Sequence, residues 1–493
     1  MEHTYLGIDL GTSAMKMVLT DSKKNILGQI SEEYQAAQSQ NGWSEIDPQV
    51  WFYAMKRGIE KILRDQDKAA LRGIGVTGQM HTLVVLGADG KPLRPSIMWN
   101  DTRTKELLPE LKETIRHFPE GSYLSRTIST GSPAANLYWL KKYEPQNLKN
   151  MKKFLIGPDY LVYCLTGSQV TDYCEASTSC LYRLCEKKWS DEIRELIGLD
   201  REVYPEIRGS AQSAGKLLPE MAEMFGVSPE TEVIVGTGDN PATAISTGCL
   251  GCGYPVISLG TSGVFMMPVE KPEFQTKGKK ILFSFDDDNY FFLVQGVVQC
   301  NGNTFDWWSR SIMEMKNFHE FTTDLDANRS AENELIFYPH LDGDKTIYAD
   351  PDLRGAFAGI SLSTSREDMF YAVMEGLCFA FRELAEKMHL PLKEYGNVKV
   401  VGGGARSPVW MQTMANVLNI PIEKMGGMIG PAFGIALLAA YKGGSISSLE
   451  QISEGNVNIE SKFFPDKKAA KACQKKYEKY LRMRDGLRYI ENG

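Results

Sequence analysis

A short polar motif occurs twice in this chain, about half its length apart. Leu10-Gly11-Thr12-Ser13 is repeated as Leu259-Gly260-Thr261-Ser262, and apolar residues precede and follow both copies. This pattern predicts a strand, a tight turn and a second strand. A turn with free backbone N–H groups, two hydroxyls and no bulky side chain can approach a phosphate closely. One copy alone is also compatible with an ordinary hairpin, but two copies predict two related domains that face one nucleotide.

The two copies differ at the position before the motif. Asp9 precedes the first copy, whereas Ser258 precedes the second. Magnesium bound to a nucleotide is held by one or two carboxylates together with phosphate oxygens. We therefore expect the first loop to lie on the metal side and the second loop to cradle phosphates.

Strands alternate with helices along the chain, which predicts an α/β fold. Pro48, with Asp47 as its N-cap, predicts a helix that begins at 48 and runs to about residue 65. Residues 73–77 predict a buried strand of the parallel type. Three further strands are expected before this helix, over residues 4–9, 14–20 and 25–31.

The composition excludes some classes of function. A net charge of −7 over 493 residues does not favour nucleic acid or an anionic membrane surface as a partner. The sequence has no run of about 18 consecutive apolar residues, which a membrane helix requires. Its first residues do not resemble a signal peptide. Nine dispersed cysteines fit a reducing compartment, so the expected location is the cytoplasm. The oligomeric state stays open, with a homodimer as one alternative.

Polar residues follow the strand at 73–77, in Gly78-Gln79-Met80-His81-Thr82. Ligands of open α/β sheets bind beyond the carboxyl ends of the strands. We therefore expect Gln79 and His81 to hydrogen-bond a polyhydroxy ligand, with a purely structural histidine as the alternative.

A second polar cluster, Trp99-Asn100-Asp101-Thr102-Arg103, combines a flat aromatic wall with hydrogen-bond donors and acceptors. This combination is typical of sugar sites. Asp101 alternatively caps a helix that starts near residue 102. Residues 104–230 are predicted to be mostly helical, and Asp159 and Asp172 within them are expected to be solvated.

Asp239 is the strongest catalytic candidate. It follows a strand and a Gly-bounded turn, and it precedes a helix that is rich in small residues. A kinase that acts on an alcohol needs a carboxylate within hydrogen-bond reach of the hydroxyl. The alternative is a simple N-cap. Farther along, three glycines at 402–404 lie between a strand and a helix, where they admit a flat ring or a phosphate.

Two segments with small residues, 241–248 and 430–440, predict helices that pack backbone to backbone. Such a pair can slide as a hinge or shear element. Residues 464–490 predict a charged amphipathic helix that braces the fold.

Together these motifs resemble those of the FGGY carbohydrate kinases, over nearly the whole chain and in the same order. The resemblance implies two actin-like (ribonuclease H-like) ATPase domains with a cleft between them. Residues 1–245 would form the sugar and metal side, residues 246–445 the nucleotide side, and residues 446–493 a helical brace. The Gln-Met-His and Trp-Asn-Asp elements are similar to those of ketopentose kinases rather than glycerol kinases, with D-xylulose as the expected acceptor.

The resemblance also implies roles for individual residues. Asp239 would be the base that takes the proton from the sugar hydroxyl, and Asp9 would hold Mg²⁺ through water beside ATP. The expected sugar contacts are Met80, His81, Asn100, Arg103, Asp239 and Asn240. The expected phosphate contacts are Thr12, Ser13, Gly260 and Thr261, and Gly403, Gly404 and Ser407 would border the adenosine.

The chain departs from the family pattern at Thr82, where glycine is usual, at 343–347, and at Ile435, where alanine is commoner. The first two departures leave the sugar open, so a kinase for ribulose, an L-ketopentose or a tetritol is an alternative. An actin-like ATPase module that binds partners is another, and a sugar sensor without catalysis is a third. The polar clusters disfavour the ATPase module, and the presence of both Asp9 and Asp239 disfavours the sensor.

Overall fold

The computed structural model describes residues 3–35, 37–38, 42–249, 253–315, 333–350, 352–427, 429–448, 451–452 and 458–492. The chain forms two compact units, each discontinuous in sequence. Unit 1 comprises Met1–Gly248, Lys280–Leu293 and Met428–Asn456, and unit 2 comprises Cys249–Lys279, Val294–Gly427 and Val457–Gly493. These units do not coincide with the consecutive ranges expected from the sequence, and the domain boundaries at 245 and 445 stay a prediction.

Unit 1 is built on a mixed sheet of seven strands. The strand Thr4–Leu10 runs parallel to Leu71–Gly78 and antiparallel to Ala14–Asp21. The short strand Thr237–Gly238 is also parallel to Leu71–Gly78. The four strands predicted over residues 4–31 and 73–77 are thus confirmed, with ends that differ by a few residues. The strand order is Ser213–Lys216, Glu232–Ile234, Leu71–Gly78, Thr4–Leu10, Ala14–Asp21 and Ile26–Glu33.

Helices cover this sheet, and the first begins as predicted. The side chain of Asp47 accepts a hydrogen bond from the N–H of Gln49 at 2.9 Å, and Pro48 opens the helix Pro48–Ile62. Within the part of the chain that the structure describes, no helix is long and apolar enough to cross a membrane. The other helices of four residues or more that the structure describes in unit 1 are Leu108–Arg116, Gly121–Thr127, Pro133–Tyr143, Pro145–Asn150, Gly157–Thr166, Tyr173–Thr178, Asp191–Ile197, Pro219–Phe225, Asp239–Thr247 and Pro431–Lys442.

The helices Asp239–Thr247 and Pro431–Lys442 pack directly on each other. A Cβ on Gly434 would lie 1.9 Å from the carbonyl oxygen of Ala242, so only glycine permits this approach. A Cβ on Gly7 would likewise lie 1.9 Å from the carbonyl oxygen of Ala432. Backbone-to-backbone packing of the two helices is therefore confirmed, while their sliding stays a prediction.

A second sheet of unit 1 has five short strands. Their order is Ala37–Gln38, Ser44–Ile46, Ser96–Ile97, Leu83–Leu86 and Lys153–Ile156. Two two-stranded sheets complete the unit, Val170–Asp172 with Glu206–Arg208 and Tyr182–Arg183 with Lys188–Trp189.

Asp159 and Asp172 are buried, and the prediction that they are solvated is wrong. Their exposed fractions are 4% and 2%. Asp159 accepts the N–H of Ile156 at 3.1 Å, and Asp172 accepts the N–H of Glu175 at 2.9 Å. Each carboxyl satisfies backbone N–H groups at the start of a buried helix, a role that local polarity does not reveal. Burial raises the pKa of Asp159 to about 8 and that of Asp172 to about 6.

Unit 2 has its own mixed sheet. Val256–Leu259 is antiparallel to Gly263–Val269 and parallel to Val398–Val401, which continues to Ile422–Gly426 and Asn458–Phe463. The strands Lys279–Ser284 and Tyr290–Val298 span the division, since 280–293 belongs to unit 1. The other described elements of unit 2 are the hairpin Ile336–Tyr338 with Ala356–Ala358 and the helical segments Gly302–Asp306, Trp307–Ile312, Arg366–Lys387, Leu392–Tyr395, Gly403–Arg406, Pro408–Leu418 and Lys467–Asn492.

The C-terminal helix runs over Lys467–Asn492 and packs against Pro408–Leu418. It begins three residues later than predicted. Its side chains Cys473, Tyr477 and Tyr480 are buried in the unit 2 core.

Candidate functional site

The carboxyl ends of three parallel strands meet at one edge of the unit 1 sheet. Leu10 and Gly238 are both paired with Gly78, and the N–H of Gln79 donates to the carbonyl of Leu10 at 2.8 Å. The segments that follow these strand ends are 11–13, 79–81 and 239–240. The structure therefore brings together three of the segments of unit 1 that the sequence analysis singled out, at the edge where ligands of such sheets bind.

Asp9 and Asp239 interact electrostatically at this edge. Burial, followed by the nearby carboxyl of Asp239, raises the pKa of Asp9 to about 7, against the opposing charge of Lys16. Burial also raises the pKa of Asp239 to about 6, although the N–H of Asn240 donates to its Oδ1 at 2.7 Å. Asp239 is the first residue of the helix Asp239–Thr247, and its N-cap is Gly238, so the alternative of Asp239 as N-cap is wrong.

Two neighbouring carboxyl groups repel each other when both are ionised, and a bound divalent cation offsets this repulsion. Carboxylate oxygens suit Mg²⁺, which retains several waters and is bound by one or two carboxylates plus phosphates. Among the described residues, no group of three or more His, Cys, Asp or Glu side chains forms a metal site. A buried carboxylate such as Asp9 therefore fits a magnesium ion that is shared with a nucleotide.

The first glycine loop is fixed from several sides. The N–H of Gly11 donates to the carbonyl of Ala14 at 3.0 Å, and the N–H of Tyr34 donates to the carbonyl of Ser13 at 2.9 Å. The hydroxyl of Tyr34 also donates to the carbonyl of Gly11. Thr12 accepts a hydrogen bond on its hydroxyl from the indole of Trp99 at 3.0 Å, while Ser13 is exposed. These hydrogen bonds fix the backbone of the loop and leave Ser13 exposed to solvent.

Arg103 lies in a buried network rather than at an open surface. Its guanidinium donates to Asp101 at 2.8 Å and to Glu45 at 2.6 Å, and it lies 4.0 Å from the ring centre of Trp43. Asp101 also accepts the N–H of Ser44 at 2.6 Å. The helical turn after this segment begins at Lys105, so the alternative role of Asp101 as a cap of a helix near 102 is wrong.

Of the other predicted sugar contacts, Asn100 follows Trp99 in the chain, and Met80, His81 and Asn240 follow the strand ends. Asn100 is half-buried, and its Oδ1 has no hydrogen-bond partner among the described residues. Asn240 donates from Nδ2 to the sulfur of Met80 at 3.8 Å. His81 has a left-handed backbone, with φ of 72°. Sugar contact by Met80, His81, Asn100, Arg103 and Asn240 stays a prediction.

Near the strand ends, Glu175 was missed by the sequence analysis, and Thr82 has a contact that the sequence did not predict. Thr82 is fully buried, and its hydroxyl accepts the backbone N–H of Trp99 at 3.2 Å. Glu175 is 2% exposed, and its Oε2 accepts the N–H of His81 at 3.4 Å. Asp172, three residues before Glu175, has the spacing of a helix N-cap and was the available signal for this buried helix.

The second glycine loop belongs to unit 2, where Gly260 and Thr261 are exposed. The carbonyls of these two residues accept the N–H groups of Gly302 and Asn303, each at 3.1 Å. Asn301 adds a hydrogen bond from Nδ2 to the carbonyl of Gly260 at 3.0 Å. The loop is therefore held through its carbonyls.

The triple-glycine segment follows the strand Val398–Val401, as predicted. A Cβ on Gly403 would meet nothing within 4 Å, whereas a Cβ on Gly404 would lie 2.9 Å from the Cβ of Leu259. Ser407 is buried, and its hydroxyl accepts the N–H of Trp410 as N-cap of the helix Pro408–Leu418. Gly403 thus offers open space for a flat ring, and contact of Gly403, Gly404 and Ser407 with adenosine stays a prediction.

Comparison with known proteins extends this picture. Residues 4–246 match the N-terminal domain of the FGGY family of carbohydrate kinases, and residues 256–443 match its C-terminal domain. A xylulose kinase from Staphylococcus xylosus is 30% identical over 480 residues, which cover 97% of this chain and 99% of the relative. A solved structure described as a xyloylose kinase from Brucella ovis is 28% identical, with a TM-score of 0.91 over 99% of this chain and 100% of that chain. A gluconate kinase from Lactobacillus acidophilus is 25% identical, with a TM-score of 0.90 over 99% and 98%.

The two α/β units and these similarities define a sugar kinase with the actin-like ATPase fold, so the predicted fold class is confirmed. The chain belongs to the FGGY family of carbohydrate kinases.

Proposed function

We propose that this sugar kinase transfers the γ-phosphoryl group of ATP to a ketopentose, and that the ketopentose is D-xylulose. The observation that carries the proposal is the position of Asp239, beside Asp9 and next to the Met80–His81 turn at the strand ends. The similarity to proteins named xylulose kinase supports the choice of sugar. The similarity to a gluconate kinase makes a sugar acid the first competitor to test.

Asp239 would act as the general base toward the 5-hydroxyl of the sugar. A base works best when its pKa lies near the working pH, and burial raises the pKa of Asp239 to about 6. Asp239 lies at the start of the helix Asp239–Thr247, and the helix dipole there stabilises the negatively charged carboxylate, which is the form that accepts the proton. Met80, His81, Asn100, Arg103 and Asn240 would hold the sugar around this carboxylate.

Asp9 would hold Mg²⁺ through water, and the bound ion would neutralise charge on the phosphates. Thr12 and Ser13 would bind phosphate oxygens through hydroxyl and backbone N–H groups. In unit 2, Gly260 and Thr261 would do the same, and Gly403, Gly404 and Ser407 would border the adenosine. These residues orient ATP and the sugar, which is the main contribution of a protein to phosphoryl transfer.

Three further predictions from the sequence accompany this proposal. They are the division into residues 1–245, 246–445 and 446–493, a cytoplasmic location, and a homodimer as one alternative for the assembly.

A substrate panel tests the proposed reaction. ADP release from Mg–ATP is measured with D-xylulose, D-ribulose, L-xylulose, L-ribulose, erythritol, glycerol and gluconate. D-xylulose is expected to give the highest kcat/KM. A higher value with another acceptor would change the sugar, and ADP release that no acceptor accelerates would reject the kinase reaction in favour of an ATPase module.

The variant Asp239→Ala tests the base. It is expected to abolish sugar phosphorylation while ATP affinity, measured by titration calorimetry, stays within a few-fold of the wild type. Asp47→Ala is the matched control, because Asp47 caps an outer helix and its loss leaves the strand ends intact. If Asp239→Ala keeps most of its turnover, the assignment of the base is wrong.

A further inference from the structure

Glu175 lies outside every segment that the proposed function uses. It belongs to the short helix Tyr173–Thr178, which Asp172 caps by accepting the N–H of Glu175 at 2.9 Å. Its side chain nevertheless reaches two of the strand ends described above. The Oε2 atom accepts the N–H of His81 at 3.4 Å, 94 residues away in sequence.

The other carboxyl oxygen of Glu175 lies against Gly238, the residue before Asp239. A Cβ on Gly238 would be 2.9 Å from Oε1 of Glu175 and 2.5 Å from Cγ of Met80. Real Cβ atoms do not come this close to other atoms, so a side chain at position 238 would displace Met80 or Glu175. Glu175, Met80 and Gly238 are therefore in close contact, directly beside Asp239.

The turn at His81 needs support, because its φ of 72° is an uncommon conformation for a residue with a side chain. Such a conformation is strained and persists only where the surroundings fix it. The hydrogen bond from the N–H of His81 to Glu175 is one contact that fixes it.

We propose that Glu175 is a positioning residue of the sugar site, which holds the Met80–His81 turn in register with the Gly238–Asp239 turn. This inference rests on the proposed function, because Met80, His81 and Asp239 are the residues proposed to bind and activate the sugar. Glu175 acts through these neighbours and takes no part in proton transfer.

The chemical form of Glu175 agrees with this role. The residue is 2% exposed, and its Oε1 has no hydrogen-bond partner among the described residues. Burial, together with the neighbouring carboxyls of Asp159, Asp172 and Asp239, raises its pKa well above the usual range. Burial therefore disfavours the charged form of Glu175, and glutamine is its closest substitute in shape, with an oxygen that can still accept the N–H of His81.

The inference is tested by the steady-state kinetics of Glu175→Ala and Glu175→Gln, measured with the sugar that the substrate panel selects. Glu175→Ala is expected to raise the KM for the sugar and to lower kcat, with kcat/KM for the sugar reduced at least about 10-fold, since small misplacements of reacting groups have effects of this size or larger. The KM for ATP is expected to stay within about 2-fold, because the contacts described for Glu175 are to the turns at His81 and Gly238 rather than to the glycine loops. Glu175→Gln is expected to restore most of kcat/KM.

Asp159→Asn is the matched control, since Asp159 is also a buried acid of raised pKa at a helix start, and it accepts the N–H of Ile156 rather than that of His81. It is expected to change the thermal midpoint without a split between sugar and ATP kinetics. The inference is overturned if Glu175→Ala keeps its kcat/KM for the sugar, or if it loses sugar and ATP kinetics equally, as a merely less stable protein would.

Direct titration of the sugar separates this inference from the proposed reaction. If the wild type binds the sugar without turnover, the proposed reaction fails, and weaker sugar binding by Glu175→Ala still supports the positioning role. Equal affinities of the two proteins overturn the positioning role, and a wild type that binds no sugar overturns both proposals.

Discussion

The indole Nε1 of Trp99 donates a hydrogen bond to the hydroxyl of Thr12 at 3.0 Å. The backbone N–H of Trp99 donates to the hydroxyl of Thr82 at 3.2 Å, and a Cβ on Gly131 would come within 1.9 Å of its carbonyl oxygen. The backbone of Trp99 is therefore fixed, and its ring contacts the first glycine loop. The residue as a whole is 39% exposed. This contact couples the proposed sugar site to the proposed phosphate site.

Trp99→Phe keeps an aromatic wall but removes the donor to Thr12. A net hydrogen bond contributes about 0.5–1.5 kcal/mol, so KM for the sugar and for ATP are both expected to rise about 2- to 10-fold. Steady-state kinetics with each substrate varied measures this. Trp307→Phe is the control, because Trp307 is a comparably exposed tryptophan in unit 2. A rise in the sugar KM alone would contradict the coupling.

Thr82 replaces the glycine that is usual in the family, and its buried hydroxyl has a structural partner. Thr82→Val keeps the shape and leaves the N–H of Trp99 without an acceptor, at an expected cost of about 1–3 kcal/mol. Thermal unfolding and the sugar KM are the measurements. Thr82→Ser, which retains the hydroxyl, is expected to resemble the wild type in sugar KM. Equal sugar KM values for the valine and serine variants would mean that the hydroxyl does not position Trp99.

The pH dependence of turnover follows from the raised pKa of Asp239, about 6. The proposed base is active when deprotonated, so activity is present above the pKa and is lost as the pH falls through it. We expect kcat/KM for the sugar to fall about 10-fold per pH unit below about 6. The residual rate of Asp239→Asn should lack this acidic limb. A wild-type profile that stays flat down to pH 4.5 would contradict the assignment.

Local patterns predicted the parts of the fold that local chemistry determines. Asp47 and Pro48 marked a helix start correctly, and the glycine loops at residues 11 and 260 follow strands as expected. Small residues around Ala242 and Gly434 predicted close helix packing. In each of these cases the residues that determine the feature are neighbours in sequence, or they belong to segments rich in small residues.

Contacts between distant residues account for what the sequence did not predict. His81 and Glu175 are 94 residues apart, and Ser44 and Asp101 are 57 apart, so no local pattern links them. Asp101 was a candidate helix cap because caps are local. Its carboxyl does accept the N–H of Arg103 at 2.8 Å, but no described helix starts there, and the fold adds the N–H of Ser44 and the guanidinium of Arg103. The helix Pro431–Lys442 lies far along the chain but belongs to unit 1, because it packs on the distant helix Asp239–Thr247.

Gly434→Ala tests the close helix packing of unit 1. The added Cβ would lie 1.9 Å from the carbonyl oxygen of Ala242, so the helices must separate, and overpacking of this kind costs about 1–3 kcal/mol. Thermal unfolding is expected to show a lower midpoint. Gly486→Ala is the control, because that helical glycine has open space around it and alanine there is expected to stabilise by about 0.5–1 kcal/mol. Equal midpoints for the two variants would contradict the packing.

The C-terminal helix is expected to contribute stability through one buried ion pair. Lys476 and Glu375 form a salt bridge in which the side chains are 4% and 1% exposed. Lys476→Met removes one partner and leaves a buried carboxylate uncompensated, which costs about 3–5 kcal/mol. Adding Glu375→Gln removes the orphaned charge and is expected to recover part of that loss. Denaturant unfolding of the single and double variants measures both effects.

Lys479 and Glu334 form the matched exposed pair on the same helix, with side chains 48% and 76% exposed. Lys479→Met is expected to cost less than about 1 kcal/mol, because water and salt screen exposed charges. The prediction therefore concerns the difference between two lysines that lie about one helical turn apart. If Lys476→Met and Lys479→Met lower the free energy of unfolding equally, burial of the Lys476–Glu375 pair does not determine how the helix is held.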